Sequence, residues 1–141
     1  MTDGRECARV VLVDDHELVR AGLRRLLAGA RELEIIGEAS SGGEALVVCQ
    51  RLRPDLVLMD LHLRDMDGLA VTRAIRGAGL GTSVLLFTMY EGSAYVDEAQ
   101  RAGAAGYLLK GASRRELLDA VRHALKSSGQ SVSVGLARGL L

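Results

Sequence analysis

The chain has 141 residues, of which 48% are hydrophobic and 26% charged. That length suits one domain with a single core, and the composition excludes disorder over the whole chain. Its 18 basic and 18 acidic residues cancel, Trp is absent and aromatics are 3%, which argues against a wholly basic nucleic-acid or membrane surface and against ring platforms for bases or flavins.

Residues 1–8, MTDGRECA, are polar and acidic and do not read as a secretory leader. No apolar run approaches the ~18 residues of a membrane span. Cys7 and Cys49 have no metal-ligand spacing, and Cys49 reads as a small core residue. The expected compartment is therefore the reducing cytoplasm.

Residues 10–13 form a valine-rich run stopped by Asp14 and Asp15, the pattern of a short buried strand. Residues 16–30 carry apolar positions at 19, 23, 26, 27 and 30, a helical spacing. Residues 34–39, EIIGEA, read as a second strand. Ser41 and Glu44 make a capping box for a helix that faces Ala45, Leu46, Cys49 and Leu52 inward and stops at Pro54.

The third strand, 55–60, is the clearest, and the loop LHLRDMDG follows it. Residues 69–78 are helical. GAGLG at 77–81 precedes a strand, so it is a connector and not a phosphate loop, which would follow one. Residues 83–88 form the fourth strand. A weaker helix over 91–102 turns Tyr95, Val96 and Ala99 inward. Residues 105–109 form the fifth strand. Ser113 and Glu116 cap a last helix with Leu117, Leu118, Val121, Ala124 and Leu125 on one face.

Five strand–helix repeats predict an α/β fold with a doubly wound parallel sheet. The expected architecture is flavodoxin-like, (βα)5, with strand order 2-1-3-4-5. In such sheets ligands bind beyond the carboxyl ends of the strands. There the sequence places Asp14 and Asp15 after the first strand, Asp60 at the end of the third, Thr88 at the end of the fourth and Lys110 after the fifth. Three carboxylates in one crevice repel each other, and one lysine compensates only partly. A divalent cation would supply the rest, and magnesium fits carboxylate oxygens best. A carboxylate is also a nucleophile toward phosphorus, giving an acyl phosphate. Taken singly, each residue has an ordinary explanation as a cap, a strand end or a surface charge. Their joint placement does not.

At these residues the sequence resembles the receiver domain of two-component response regulators. The matching motifs are VLVDDHELVR (11–20), PDLVLMDLHLRDMDGL (54–69), LLFT (85–88) and AGAAGYLLKGAS (102–113). The resemblance spans residues 8–126. VDDH, GYLLKGAS and the methionine after Thr88 resemble the NarL/LuxR-type subfamily most.

The resemblance implies that Asp60 is the phosphoacceptor. It implies magnesium, or manganese, on Asp15, on Asp14 largely through water, on Asp60 and on the backbone carbonyl of His62. Thr88 and Lys110 would bind the phosphoryl oxygens. Thr88 and Tyr107 would form the conformational switch, read out on the 91–102 helix and the fifth strand. His62 and Tyr90, each two residues beyond a site residue, would tune the acyl phosphate lifetime. The donor would be a sensor histidine kinase. Activation would bring homodimerisation, and DNA would be bound only through an effector domain outside this chain, with no membrane contact. The chain would be a phosphoacceptor with self-catalysed phosphorylation and dephosphorylation, not an enzyme.

Three residues depart from the family pattern. Arg64 stands where proline is frequent, which changes loop stiffness. Gly111 stands where a cis proline often follows the lysine. Met89 stands where many receivers have a small residue. Other readings fit less well. A haloacid-dehalogenase-like phosphatase would carry its nucleophile motif on the first strand, which here ends DDHE. A flavodoxin-like electron carrier would need a hydroxyl- and glycine-rich loop in place of two aspartates. A receiver that works unphosphorylated would not need the intact set of residues.

Residues 1–7 read as an N-terminal extension and 8–126 as the receiver. Residues 127–141 read as a linker, SSGQ, followed by the start of a helix capped by Ser133, with Leu136, Ala137, Leu140 and Leu141 on one side. The arginines at 24, 25, 31, 114, 115 and 122, and the histidines at 16 and 123, are expected to be ordinary surface.

Overall fold

A computed structural model describes residues 7–89 and 93–126. Its elements are β1 (Ala8–Val13), α1 (Glu17–Leu27), β2 (Leu33–Ala39), α2 (Gly42–Leu52), β3 (Leu56–Asp60), α3 (Gly68–Gly77), β4 (Ser83–Thr88), α4 (Ser93–Ala102), β5 (Gly106–Leu109) and α5 (Arg114–Lys126). The five strands are parallel and lie in the order β2-β1-β3-β4-β5. Fold class and strand order are those expected from the sequence. All strand carboxyl ends therefore meet at one edge.

The sheet splits the core into two layers. Val11, Val13, Val57, Met59, Val84, Leu86 and Tyr107 lie on one face, with Ala45 and Cys49 of α2, Val71 and Ile75 of α3, and Val96 and Ala99 of α4. Val10, Leu12, Leu56, Leu58, Leu85, Phe87 and Leu108 lie on the other, with Leu23 and Leu27 of α1 and Leu117 and Val121 of α5. Consecutive residues alternate between the layers, yet all are apolar, because both faces are covered. Each buried valine, leucine, isoleucine, phenylalanine or methionine contributes about 1.5–3 kcal/mol. The helices differ in what they bury. The described core of α4 is one valine and two alanines, Val96, Ala99 and Ala102, whereas α5 buries Leu117, Leu118, Ala120, Val121 and Ala124.

Two helix starts follow the expected capping. Ser113 Oγ accepts from Glu116 N at 3.1 Å and Glu116 Oε1 accepts from Ser113 N at 2.8 Å, a complete box. Ser41 caps α2 in the same way, but Glu44 reaches back to the Ser40 amide at 2.8 Å. The first helix is shorter than its apolar period. It ends at Leu27, and Gly29 turns the chain with φ +89°, leaving Ala30 buried outside the helix. The arginines are also more engaged than expected. Arg114 donates to the carbonyls of Leu26 and Ala28, and Arg122 pairs with Glu32. Tyr90 and residues 127–141 lie outside the described residues.

Candidate functional site

The ladder bonds carry the site residues to the sheet edge. Asp14 N donates to Ala39 O at 3.1 Å, one step beyond β1. Lys110 N donates to Thr88 O at 2.7 Å, one step beyond β5. Asp60 closes β3 opposite Phe87. Asp14, Asp60 and Thr88 are all buried, at 0%, 4% and 1% exposure. A buried carboxylate needs a cation or amides around it, and this edge supplies both.

Lys110 reaches across β4 from β5. Its Nζ lies 3.2 Å from Asp14 Oδ2 and 3.2 Å from Asp60 Oδ2. The same ammonium stands 5.1 Å from the centre of the Phe87 ring. Asp60 Oδ1 accepts the His62 amide at 3.2 Å. Burial nevertheless pushes the Asp60 carboxyl above the ordinary carboxylate range, and the charge of Asp14 adds to this, against the pull of His62 N–H and Lys110. A single ammonium shared by two buried carboxylates leaves the crevice short of positive charge.

Asp15 borders the same crevice with its side chain 7% exposed. The ligand atoms of Asp14, Asp15 and His16 lie within 4.8 Å of one another. His16 donates its backbone amide to Asp14 Oδ1 at 2.8 Å, and its ring Nδ1 lies 3.1 Å from the same oxygen. That nitrogen is also 3.1 Å from Asp15 Oδ1, but without hydrogen-bond geometry, and this buried oxygen has no hydrogen-bond partner. The chemistry fits a divalent cation: carboxylates in excess over cations, one of them with a lone pair unsatisfied. His16, expected to be plain surface, belongs to this cluster. The run DDH was the available signal, because an amide two residues after an aspartate can close back onto its carboxylate.

The loop after β3 is clamped at both ends. Gly68 N donates to Leu61 O at 2.7 Å. A Cβ on Gly68 would lie 2.6 Å from the Asp60 carbonyl and 2.8 Å from that of Leu61, so only glycine fits. Asp67 caps α3 through Leu69 N at 2.8 Å. Asp65 accepts the amides of Gly42 and Gly43 at 2.8 and 3.0 Å, tying the loop to the start of α2, and these bonds hold its carboxyl below the usual range. Nothing in the sequence reading singled out Gly68 or Asp65.

The departures from the family pattern resolve as follows. No peptide bond among the described residues is cis, so Lys110–Gly111 is trans. Gly111 takes φ +94°, a conformation for which glycine is suited. Met89 is 76% exposed and projects from the core. Arg64 places Nε 3.3 Å from Asp15 Oδ2. Tyr107 is wholly buried, and burial pushes its hydroxyl up to about 12. The exposed His62 ring faces Tyr95 of α4.

The response regulator receiver domain family model matches residues 10–122. The response regulator UvrY of Escherichia coli strain K12 is 41% identical over 113 residues, covering 80% of this chain and 52% of UvrY. The signal receiver domain of the response regulator NarL from Mycobacterium tuberculosis superposes with a TM-score of 0.82 at 40% identity, over 86% of this chain and 98% of that one. A two-component response regulator of the LuxR family from Aurantimonas sp. SI85-9A1 gives 0.85 at 36% identity, over 96% and 95%. The chain spans about half the length of the curated relatives it matches. No helix among the described residues is long and apolar enough to cross a membrane.

Proposed function

The chain belongs to the response regulator receiver family, NarL/LuxR type, and from that premise we propose that Asp60 accepts a phosphoryl group from a histidine kinase. The observation that carries this reading is the shared ammonium: Lys110 Nζ at 3.2 Å from both Asp14 Oδ2 and Asp60 Oδ2. A carboxylate pushed toward its neutral form by burial has much to gain from new positive charge and covalent chemistry nearby.

In the proposed step a carboxylate oxygen of Asp60 attacks phosphorus. The bond from phosphorus to the imidazole nitrogen of the donor breaks, and that nitrogen keeps the electron pair and takes up a proton. The product is an acyl phosphate on Asp60. Lys110 loses its pairing with Asp60 Oδ2 and turns to the phosphoryl oxygens, while the Thr88 hydroxyl donates a hydrogen bond to one of them. The His62 amide fixes the other carboxylate oxygen and so the direction of attack. Asp14, Asp15, Asp60 and the His62 backbone carbonyl would hold magnesium, or manganese; that cation supplies charge neutralisation of the phosphoryl oxygens. The chain acts as a phosphoacceptor with self-catalysed phosphorylation and dephosphorylation.

The switch follows from the same bond. A phosphoryl group on Asp60 rewards any state in which Thr88 reaches it, so phosphorylation biases an existing equilibrium. Tyr107 shares the α4 side of the core with Val96 and Ala99, and we place the readout on α4 and β5. His62 and Tyr90 tune the lifetime by controlling the approach of water. The wider role, in the cytoplasm, is transcription control by a homodimer that binds DNA through a helix-turn-helix domain, with residues 127–141 as the linker. Relatives about twice as long support this.

Incubation with acetyl phosphate and magnesium tests the assignment. One hydroxylamine-sensitive phosphoryl group is expected on the peptide that contains Asp60. A modified peptide elsewhere would overturn it.

A further inference from the structure

Arg64 lies four residues beyond Asp60, in the loop that leads from β3 to α3. Its side chain is 77% exposed, whereas that of Asp15 is 7% exposed, yet Nε approaches Asp15 Oδ2 to 3.3 Å. The guanidinium thus comes in from solvent and rests on a carboxylate inside the crevice. The division of charge is specific. Lys110 serves Asp14 and Asp60. His16 bonds Asp14. Among the described residues the fixed positive charge against Asp15 is Arg64; His16 Nδ1 stands 3.1 Å from the other oxygen of Asp15, which has no hydrogen-bond partner.

We infer that Arg64 is a built-in competitor of the divalent cation: it neutralises Asp15 in the metal-free protein and leaves that carboxylate when the cation binds. This rests on the reading of Asp15 as a metal ligand. The competition has two parts. The guanidinium occupies an oxygen that the cation would use, and its charge repels a second cation a few ångströms away. An exposed guanidinium on a carboxylate is held weakly, so the cation displaces it at a cost of about two- to fivefold in affinity. The side chain is 77% exposed, so rotation about its own torsions carries the guanidinium out into solvent. Phosphorylation of this chain would then depend on free magnesium over a higher range than in a variant without the charge. Arg64 acts through Asp15 and is a positioning residue.

Calorimetric titration with magnesium chloride tests this on the wild type, Arg64→Ala, Arg64→Gln, Arg64→Lys and Asp15→Asn. Arg64→Ala and Arg64→Gln should bind magnesium about two- to fivefold more tightly, and Arg64→Lys should stay closer to wild type than either. The gap should narrow as salt rises, because screening weakens a charge effect and leaves a packing effect unchanged. At saturating magnesium the initial phosphorylation rates should converge. Equal affinity in all Arg64 variants, or weaker binding in Arg64→Ala, overturns the competitor role while leaving the metal site intact. Magnesium binding that survives undiminished in Asp15→Asn, or is absent from the wild type, overturns the metal assignment and this inference with it.

Discussion

The His62 ring stands edge-on to that of Tyr95, with centroids 6.1 Å apart and planes at 85°. This contact joins the loop directly after Asp60 to α4, whose described core is only Val96, Ala99 and Ala102. Such pairs are worth about 0.5–1.5 kcal/mol, a sizeable share of what holds a weakly buried helix. Removing either ring should therefore be felt in both places. In His62→Ala and Tyr95→Ala, backbone amides of α4 should exchange severalfold faster, and His62→Ala should also change the acyl phosphate decay rate severalfold. Hydrogen exchange and a decay time course measure these; unchanged values in both would separate the ring contact from function.

Asp60 is destabilising while it is ionised. Burial raises its folded carboxyl pKa above the unfolded value. A raised pKa favours the protonated form, so the stabilising contribution is full below the unfolded pKa and is lost as pH rises through the folded one. At neutral pH the ionised group is therefore a cost. Asp60→Asn removes it and should raise the melting temperature of the metal-free protein by a few degrees at pH 7, with a smaller gain near pH 4.5. Thermal denaturation at the two pH values decides this. A lower melting temperature for the variant at pH 7 would contradict it.

Asp65 has the opposite sign. The Gly42 and Gly43 amides depress its carboxyl pKa. Its contribution is present above the unfolded pKa and is lost as pH falls through the folded one. Asp65→Asn should lower the melting temperature at pH 7 and match wild type more closely as pH falls below about 4. A constant difference across that range would rule out a charge-dependent clamp.

Two glycines provide a contrast in sterics. A Cβ on Gly68 meets two backbone carbonyls under 3 Å, whereas Gly22 in α1 has nothing within 4 Å. Gly68→Ala should cost about 1–3 kcal/mol and displace the backbone that carries Asp60. Gly22→Ala should gain about 0.5–1 kcal/mol from helix propensity. Urea denaturation of the two variants checks the pair. Equal effects would mean that the Asp60–Gly68 approach is not close.

Much of the site could be read in the sequence because parallel topology is simple. Asp14, Asp60 and Lys110 each end or follow an apolar run, and a parallel sheet brings all such ends to one edge. The helix starts at Ser41 and Ser113 were readable because capping is local. The contacts that escaped depend on distance through space. Arg64 meets Asp15 from a different loop, and no spacing rule connects them. Gly68 matters because of the Asp60 carbonyl behind it, which only the packed backbone shows. Leu27 ends α1 early because the turn at Gly29 overrides an apolar period that continues to Ala30. His16 looked like surface because its ring is largely exposed, while its amide and Nδ1 turn toward Asp14.

The central claim is that this crevice makes an acyl phosphate on Asp60. Intact mass spectrometry after acetyl phosphate and magnesium, on wild type and Asp60→Asn side by side, tests it most directly. The expected result is a single phosphoryl adduct on the wild type that does not form when a chelator is present from the start and never forms on Asp60→Asn. An adduct of equal yield on Asp60→Asn would contradict the assignment.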